Sequence, residues 1–129
     1  MLNMKKLLLL LFSLLLSFNS YGEWTLTYKW DNGDSAYVDL ETIKEINGYV
    51  YWWELKNFPS GELEGGKSIM IYSQGDCEMS RYKALSMTLF KKSMGQGEGT
   101  SYEPNEWEYP RPDTQVYQVL IDVCTHKYR

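Results

Sequence analysis

Tyr49-Val50-Tyr51-Trp52-Trp53-Glu54-Leu55-Lys56-Asn57-Phe58 is the most β-prone stretch of this 129-residue chain. Aromatic and β-branched side chains fit a pleated surface, and successive side chains of a strand point to opposite faces. Tyr49, Tyr51, Trp53 and Leu55 therefore share one face; Val50, Trp52 and Phe58 share the other with Glu54 and Lys56. Both faces are apolar at the start, which predicts a central strand. One face meets the core. The other, carrying either Tyr49 and Tyr51 or else Trp52, needs a partner or a second copy of the chain to cover it.

Upstream, Trp24-Thr25-Leu26-Thr27-Tyr28-Lys29-Trp30 alternates as a half-buried strand, with Trp24, Leu26, Tyr28 and Trp30 on one face. For Trp24, Trp30 and Trp53 the core is the favoured destination. Asn32-Gly33 predicts a type I′ hairpin turn, for which both central residues need positive φ, and Ala36–Val38 returns as a strand. Asp39 predicts a cap on a short helical turn through Ile46, and Asn47-Gly48 a further turn. Downstream, Ser68–Ser73 reads as a strand, Gln74-Gly75-Asp76 as its turn, and Cys77–Phe90 as a long strand with a bend near Arg81 and Lys83. Lys91–Pro112 has little periodicity, and Trp107 is expected to pin it to the body. Val116, Val119, Leu120, Val123 and Cys124 then recur on one helical face behind an N-cap at Asp113, predicting a helix to about Lys127. The expected fold class is α+β: one antiparallel sheet of five to six strands with a C-terminal helix packed on one face.

Residues 1–22 read as a secretory signal peptide, with Lys5 and Lys6 before the apolar run Leu7–Leu16 and small residues at Ser20 and Gly22. Cleavage before Glu23, with cleavage after Ser20 as the alternative, leaves one domain, 23–129, and the run is too short for a membrane span. Export makes the two cysteines, Cys77 and Cys124, a predicted disulfide rather than two buried thiols. Without the leader's two lysines the chain has 11 basic against 17 acidic residues. That balance repels phosphate backbones and anionic bilayers, which argues against nucleic-acid binding and against nonspecific attraction to membranes.

No catalytic or metal-binding pattern emerges. His126 is the only histidine and lacks partners at ligand spacing. Asp31-Asn32-Gly33-Asp34 lacks the alternating ligands and distal Glu of a calcium loop. Glu103, Glu106 and Glu108 cluster as 17 acids will by chance, and Gly95, Gly97 and Gly99 have no phosphate-loop context. The expectation is a non-enzyme without cofactor or metal. The aromatic excess points instead to protein contact, since large rings with few rotors anchor interfaces. The candidate contact residues are Tyr49, Tyr51 and Trp52; the alternative reading is that all these rings belong to the core.

Several segments, taken in order, resemble one family. They are Tyr37-Val38-Asp39-Leu40 with Ile43, then Tyr49–Phe58, then Asp76-Cys77 followed by Arg81-Tyr82-Lys83-Ala84-Leu85-Ser86. The glycine stretch after Met94, then Trp107, Pro110 and Cys124, complete the order. Across 24–125 the chain resembles the surface-adhesin protein E family of Gram-negative bacteria. The resemblance implies a small antiparallel sheet plus helix, a Cys77–Cys124 bridge and dimerisation. It also implies a protein-binding role toward host matrix or plasma proteins such as laminin, vitronectin and plasminogen. The leader departs from the family's lipoprotein type, with no Cys near the cleavage point. Two readings follow: an exported adhesin-like binding module at the cell surface, or a periplasmic structural or accessory domain with no host ligand.

Overall fold

The computed structural model describes residues 24–61 and 64–126. The signal-peptide reading of 1–22, Glu23, and the helix end at Lys127 lie outside the described residues. Seven strands form one antiparallel sheet: β1 (Trp24–Lys29), β2 (Ser35–Asp39), β3 (Lys44–Ile46), β4 (Tyr49–Asn57), β5 (Ser68–Asp76), β6 (Arg81–Phe90) and β7 (Gly99–Tyr102). Among the described residues one α-helix, α1 (Gln115–His126), follows. Across the sheet the order is β1-β2-β4-β5-β6-β7, and β3 lies beyond β2 along the same edge of β4. The helix thus packs on a sheet of antiparallel pairs, as expected, with β4 near its centre.

The helix covers one face. Val119, Leu120 and Val123 are buried there against Val38, Val50 and Trp52, while Val116 is only half-buried. Trp52 is wholly buried. Its ring has room because residue 75 is glycine: a Cβ there would lie 2.7 Å from the Trp52 ring and 3.0 Å from Leu120. Gln74-Gly75-Asp76 is therefore the end of a strand rather than a turn, with Gly75 paired to Val50. The turn falls instead on Cys77–Ser80, where Ser80 takes φ 51°. Cys77 bonds Cys124 and ties this turn to the last turns of α1.

Other expectations are adjusted by local hydrogen bonding. The helix is capped by Thr114, whose Oγ1 accepts from the Tyr117 amide, while Asp113 pairs with Arg111. Asp39 caps only a single 3-10 turn, Leu40–Thr42, because Lys44–Ile46 pairs with β4. Asn47 and Gly48 both have positive φ, as a two-residue turn joining β3 to β4 requires. At Asn32-Gly33 only Gly33 does. There the Gly33 amide donates to the Trp30 carbonyl and the Trp30 amide to Asp34, which is a three-residue loop rather than type I′.

The largest departure is in β1. Leu26 pairs with Tyr37 but Tyr28 pairs with Ala36, so a bulge lies between them. Opposed residues share a face, so Tyr28 and Leu26 end on opposite sides of the sheet despite their spacing of two. Leu26 and Tyr28 are both about half exposed. Trp24 and Trp30 are half-buried rather than core.

Candidate functional site

The face of the sheet away from the helix is covered at one end only. The 3-10 turn Ser93–Gly95 folds over it, held by the Met94 amide on Asn57 Oδ1 and the Gly95 amide on Ser68 Oγ, both 2.9 Å. Gly95 there sits against Met70 and Leu55, and Leu55 is fully buried. This turn uses the lower part of β4 and β5 and leaves the upper part uncovered.

On that upper part a row of rings stands half-buried: Tyr49, Tyr51 and Trp53 from β4, Tyr72 from β5, and Trp107 from the segment beyond β7. Trp53 and Tyr72 are directly opposed in the ladder and their centroids are 4.7 Å apart. Tyr51 stacks on Tyr72 at 6.1 Å and Tyr49 meets Trp107 at 5.8 Å. Such contacts add about 0.5–1.5 kcal/mol each beyond area burial and hold the rings in fixed orientations. Burial raises the Tyr72 phenol above its ordinary value, and nearby Tyr51 adds to this, so the Tyr72 hydroxyl is a neutral donor at physiological pH.

A cationic ledge closes the row. The Arg81 guanidinium lies 4.1 Å and the Lys83 ammonium 4.7 Å from the Trp107 ring centre, within cation–π range. Trp107 is carried there because 105–108 runs along the free edge of β6: the Asn105 amide donates to Ala84, and Glu108 and Tyr82 exchange backbone bonds. Arg81 is also fixed by Asp76 at 3.0 Å. Burial pushes the Asp76 carboxyl up, but the Met79 amide and the Arg81 hydrogen bond and charge outweigh it, so the net shift is downward. Asp76 therefore stays ionised and keeps Arg81 oriented.

Of the three residues expected to make contacts, the fold places Tyr49 and Tyr51 on this open face. Trp52 is a correction: it lies beneath α1, wholly buried, with its indole N–H donating to Glu54 at 2.7 Å. Adjacent residues of a strand cannot face the same side, so a contact surface holding Tyr51 excludes Trp52. Sequence reasoning missed Trp53, assigned to the core, and Tyr72. The alternation of Tyr49, Tyr51 and Trp53 already put Trp53 with the two tyrosines, but Tyr72 becomes visible only with the β4–β5 register.

His126 is in the last turn of α1, and no cluster of three or more metal-ligating side chains exists among the described residues. Asn32 spends its side chain on Asp34 in the turn. Glu108 accepts the Tyr82 hydroxyl at 2.7 Å, and burial together with Glu108 raises the Tyr82 phenol. No helix among the described residues is long and apolar enough to cross a membrane.

Comparison with known proteins agrees with this fold. A family model described as surface-adhesin protein E matches residues 24–125. Among curated protein sequences, none matches. Solved structures of Haemophilus influenzae protein E are similar in fold. Crystal form II superposes with a TM-score of 0.59 at 19% identity, covering 73% of this chain and 83% of that one. Protein E from a non-typeable strain gives 0.55 at 18% identity, covering 79% and 75%.

Proposed function

Because the chain belongs to the surface-adhesin protein E family, we propose that it is an exported, non-enzymatic binding module that docks a protein on the open aromatic face of its sheet. The observation that carries this is the row Tyr49, Tyr51, Trp53, Tyr72 and Trp107, left half-buried opposite the helix. Half-buried rings already fixed by their neighbours lose little freedom on association, and that pre-organisation favours binding. Tyr and Trp are also the residues that dominate interface energetics. The Arg81–Lys83 ledge adds charge at the rim, where it selects among partners and speeds encounter more than it deepens affinity. The partner class the family supports is a host matrix or plasma protein.

The experiment is binding of the disulfide-intact protein to immobilised laminin, vitronectin and plasminogen, with Trp53→Ala and Tyr72→Ala as variants. A hot-spot loss of about 2 kcal/mol predicts affinity weakened roughly 30-fold in each, with the helix-side packing and far-UV spectrum retained. Unchanged affinity in both variants would remove the open face as the contact surface. Failure of wild type to bind any of the three would remove the host-ligand reading and favour the periplasmic accessory role.

A further inference from the structure

On the opposite side of the sheet, between β4–β6, the segment 104–108 and the first turn of α1, lies a cleft of about 220 Å³. We propose that this cleft is a binding site for an alkylammonium group, the chemistry shared by a lysine side chain and a free aliphatic amine.

The polar end of the cleft is built around Glu54. This side chain is only 5% exposed and lines the cleft. One of its oxygens accepts the Trp52 indole N–H at 2.7 Å. No other hydrogen bond or ion pair reaches the carboxylate among the described residues, so its second oxygen is left to whatever enters. Burial leaves this carboxylate poorly solvated and disfavours its charged form, although its second oxygen is not sealed from solvent, and a cationic occupant that donates to it favours the ionised form. Glu106 and Glu108 also line the space, against a single resident cation, Lys56. Lys56 acts on Glu54 through its charge without forming an ion pair among the described residues, and Glu108 already accepts the Tyr82 hydroxyl, so three acidic side chains in the lining outnumber one cation and the cleft favours a positive guest.

The remaining walls decide which cation. Ile71, Met87 and Val116 line the cleft together with Ala84 and Pro104. Ser73 and Tyr82 add two hydroxyls to the lining, the second already donating to Glu108, and a bare metal ion needs more oxygen on more sides than these largely carbon walls offer. A space of 220 Å³ has room for about seven waters at roughly 30 Å³ each, enough for a chain of methylenes with a charged head. An ammonium is a compact point charge with three donors, whereas a guanidinium is a planar fork suited to both oxygens of one carboxylate. With one Glu54 oxygen occupied by Trp52, the site matches the ammonium. It stands apart from the aromatic face, across the sheet, and does not depend on the proposed docking role.

The Trp52 indole N–H is a built-in reporter, since its acceptor is the carboxylate that would bind the guest. Its resonance would be followed by ¹H–¹⁵N NMR while adding doubly blocked lysine, putrescine, or doubly blocked norleucine as the uncharged control. We expect a saturable shift with the blocked lysine and none with norleucine. Saturation by putrescine as well extends the site to free amines. Glu106→Gln should weaken the affinity roughly twofold to fivefold, the scale of a solvent-accessible ion pair, and Glu54→Gln should abolish saturation while keeping an acceptor for Trp52. If Glu54→Gln fails to fold, Glu106→Gln and the norleucine control decide alone. No saturable shift with either amine, an equal shift with norleucine, or unchanged affinity in Glu106→Gln would overturn the assignment.

Discussion

Trp52 and Trp53 are neighbours in the chain and should behave as opposites when truncated. Trp52 is wholly buried between β5 and α1, with Gly75 and Leu120 against its ring. Trp52→Ala would remove a core indole, a change that costs about 3–5 kcal/mol. It would also leave buried Glu54 without its donor, worth roughly another 1–3 kcal/mol. The sum, about 4–8 kcal/mol, is comparable with the whole stability of a small domain, about 5–15 kcal/mol. Trp53→Ala removes a half-buried ring whose main partner is Tyr72, and the expected cost is about 1 kcal/mol. Trp52→Phe separates the two terms for the buried site, keeping much of the packing while deleting the indole N–H. The assay is urea unfolding followed by far-UV circular dichroism without reductant, since tryptophan fluorescence changes with the substitutions themselves. Trp52→Ala within about 0.5 kcal/mol of wild type, the range of a surface change, or Trp53→Ala costing more than Trp52→Ala, would refute the assignment of faces.

Reduction of the Cys77–Cys124 bond, which closes a loop of separation 47, should cost about 4 kcal/mol by chain entropy; a midpoint unchanged by reductant would contradict it. Gly75→Ala places a methyl 2.7 Å from the Trp52 ring and should destabilise by about 1–3 kcal/mol, read from the same urea curves. Leu120→Ala, at a site 2% exposed, should cost about 2–5 kcal/mol, and a cost under about 0.5 kcal/mol would place the wrong helix face inward. Burial raises Glu54 above its ordinary value of 4.5, opposed by Lys56 and the Trp52 bond. Between about pH 4.5 and the raised folded value the folded state holds a proton that the unfolded chain has released, so this contribution is complete below about pH 4.5 and is lost as pH rises through the raised folded value. Asp76, held low, works in the opposite direction, losing its contribution as pH falls. Thermal melts of wild type minus Glu54→Gln should isolate the Glu54 slope as a difference that declines with pH above about 4.5; a difference that rises with pH would contradict the burial of this carboxylate.

The α+β class, the central β4 and the helix face through Val119, Leu120 and Val123 were legible because their periodicities are strong and unbroken. β1 misled because alternation assumes a regular ladder, and the bulge after Leu26 sends Tyr28 to the other side. Gly75 looked like turn punctuation, but its lack of a Cβ serves the Trp52 ring, a reason that exists only once β5 lies beside β4. β7 has four exposed residues and no apolar pattern, and it forms because β6 offers it a free edge. At the candidate site Tyr49 and Tyr51 could be placed together on one face, but which face the helix would leave open is undetermined when both are apolar. That choice is made by α1, whose disulfide to Cys77 holds it against Trp52 rather than Trp53.

The central claim is that a protein partner sits on the aromatic face opposite the helix. Hydroxyl-radical footprinting of the protein with and without bound laminin, vitronectin or plasminogen tests it most directly, because half-buried rings are labelled in proportion to their exposure. The account predicts protection of Trp53, Tyr72 and Trp107 in the complex, with Tyr28 and Trp30, which line the groove beside α1, labelled as in the free protein. Protection of Tyr28 and Trp30 with Trp53 and Tyr72 unchanged would contradict it.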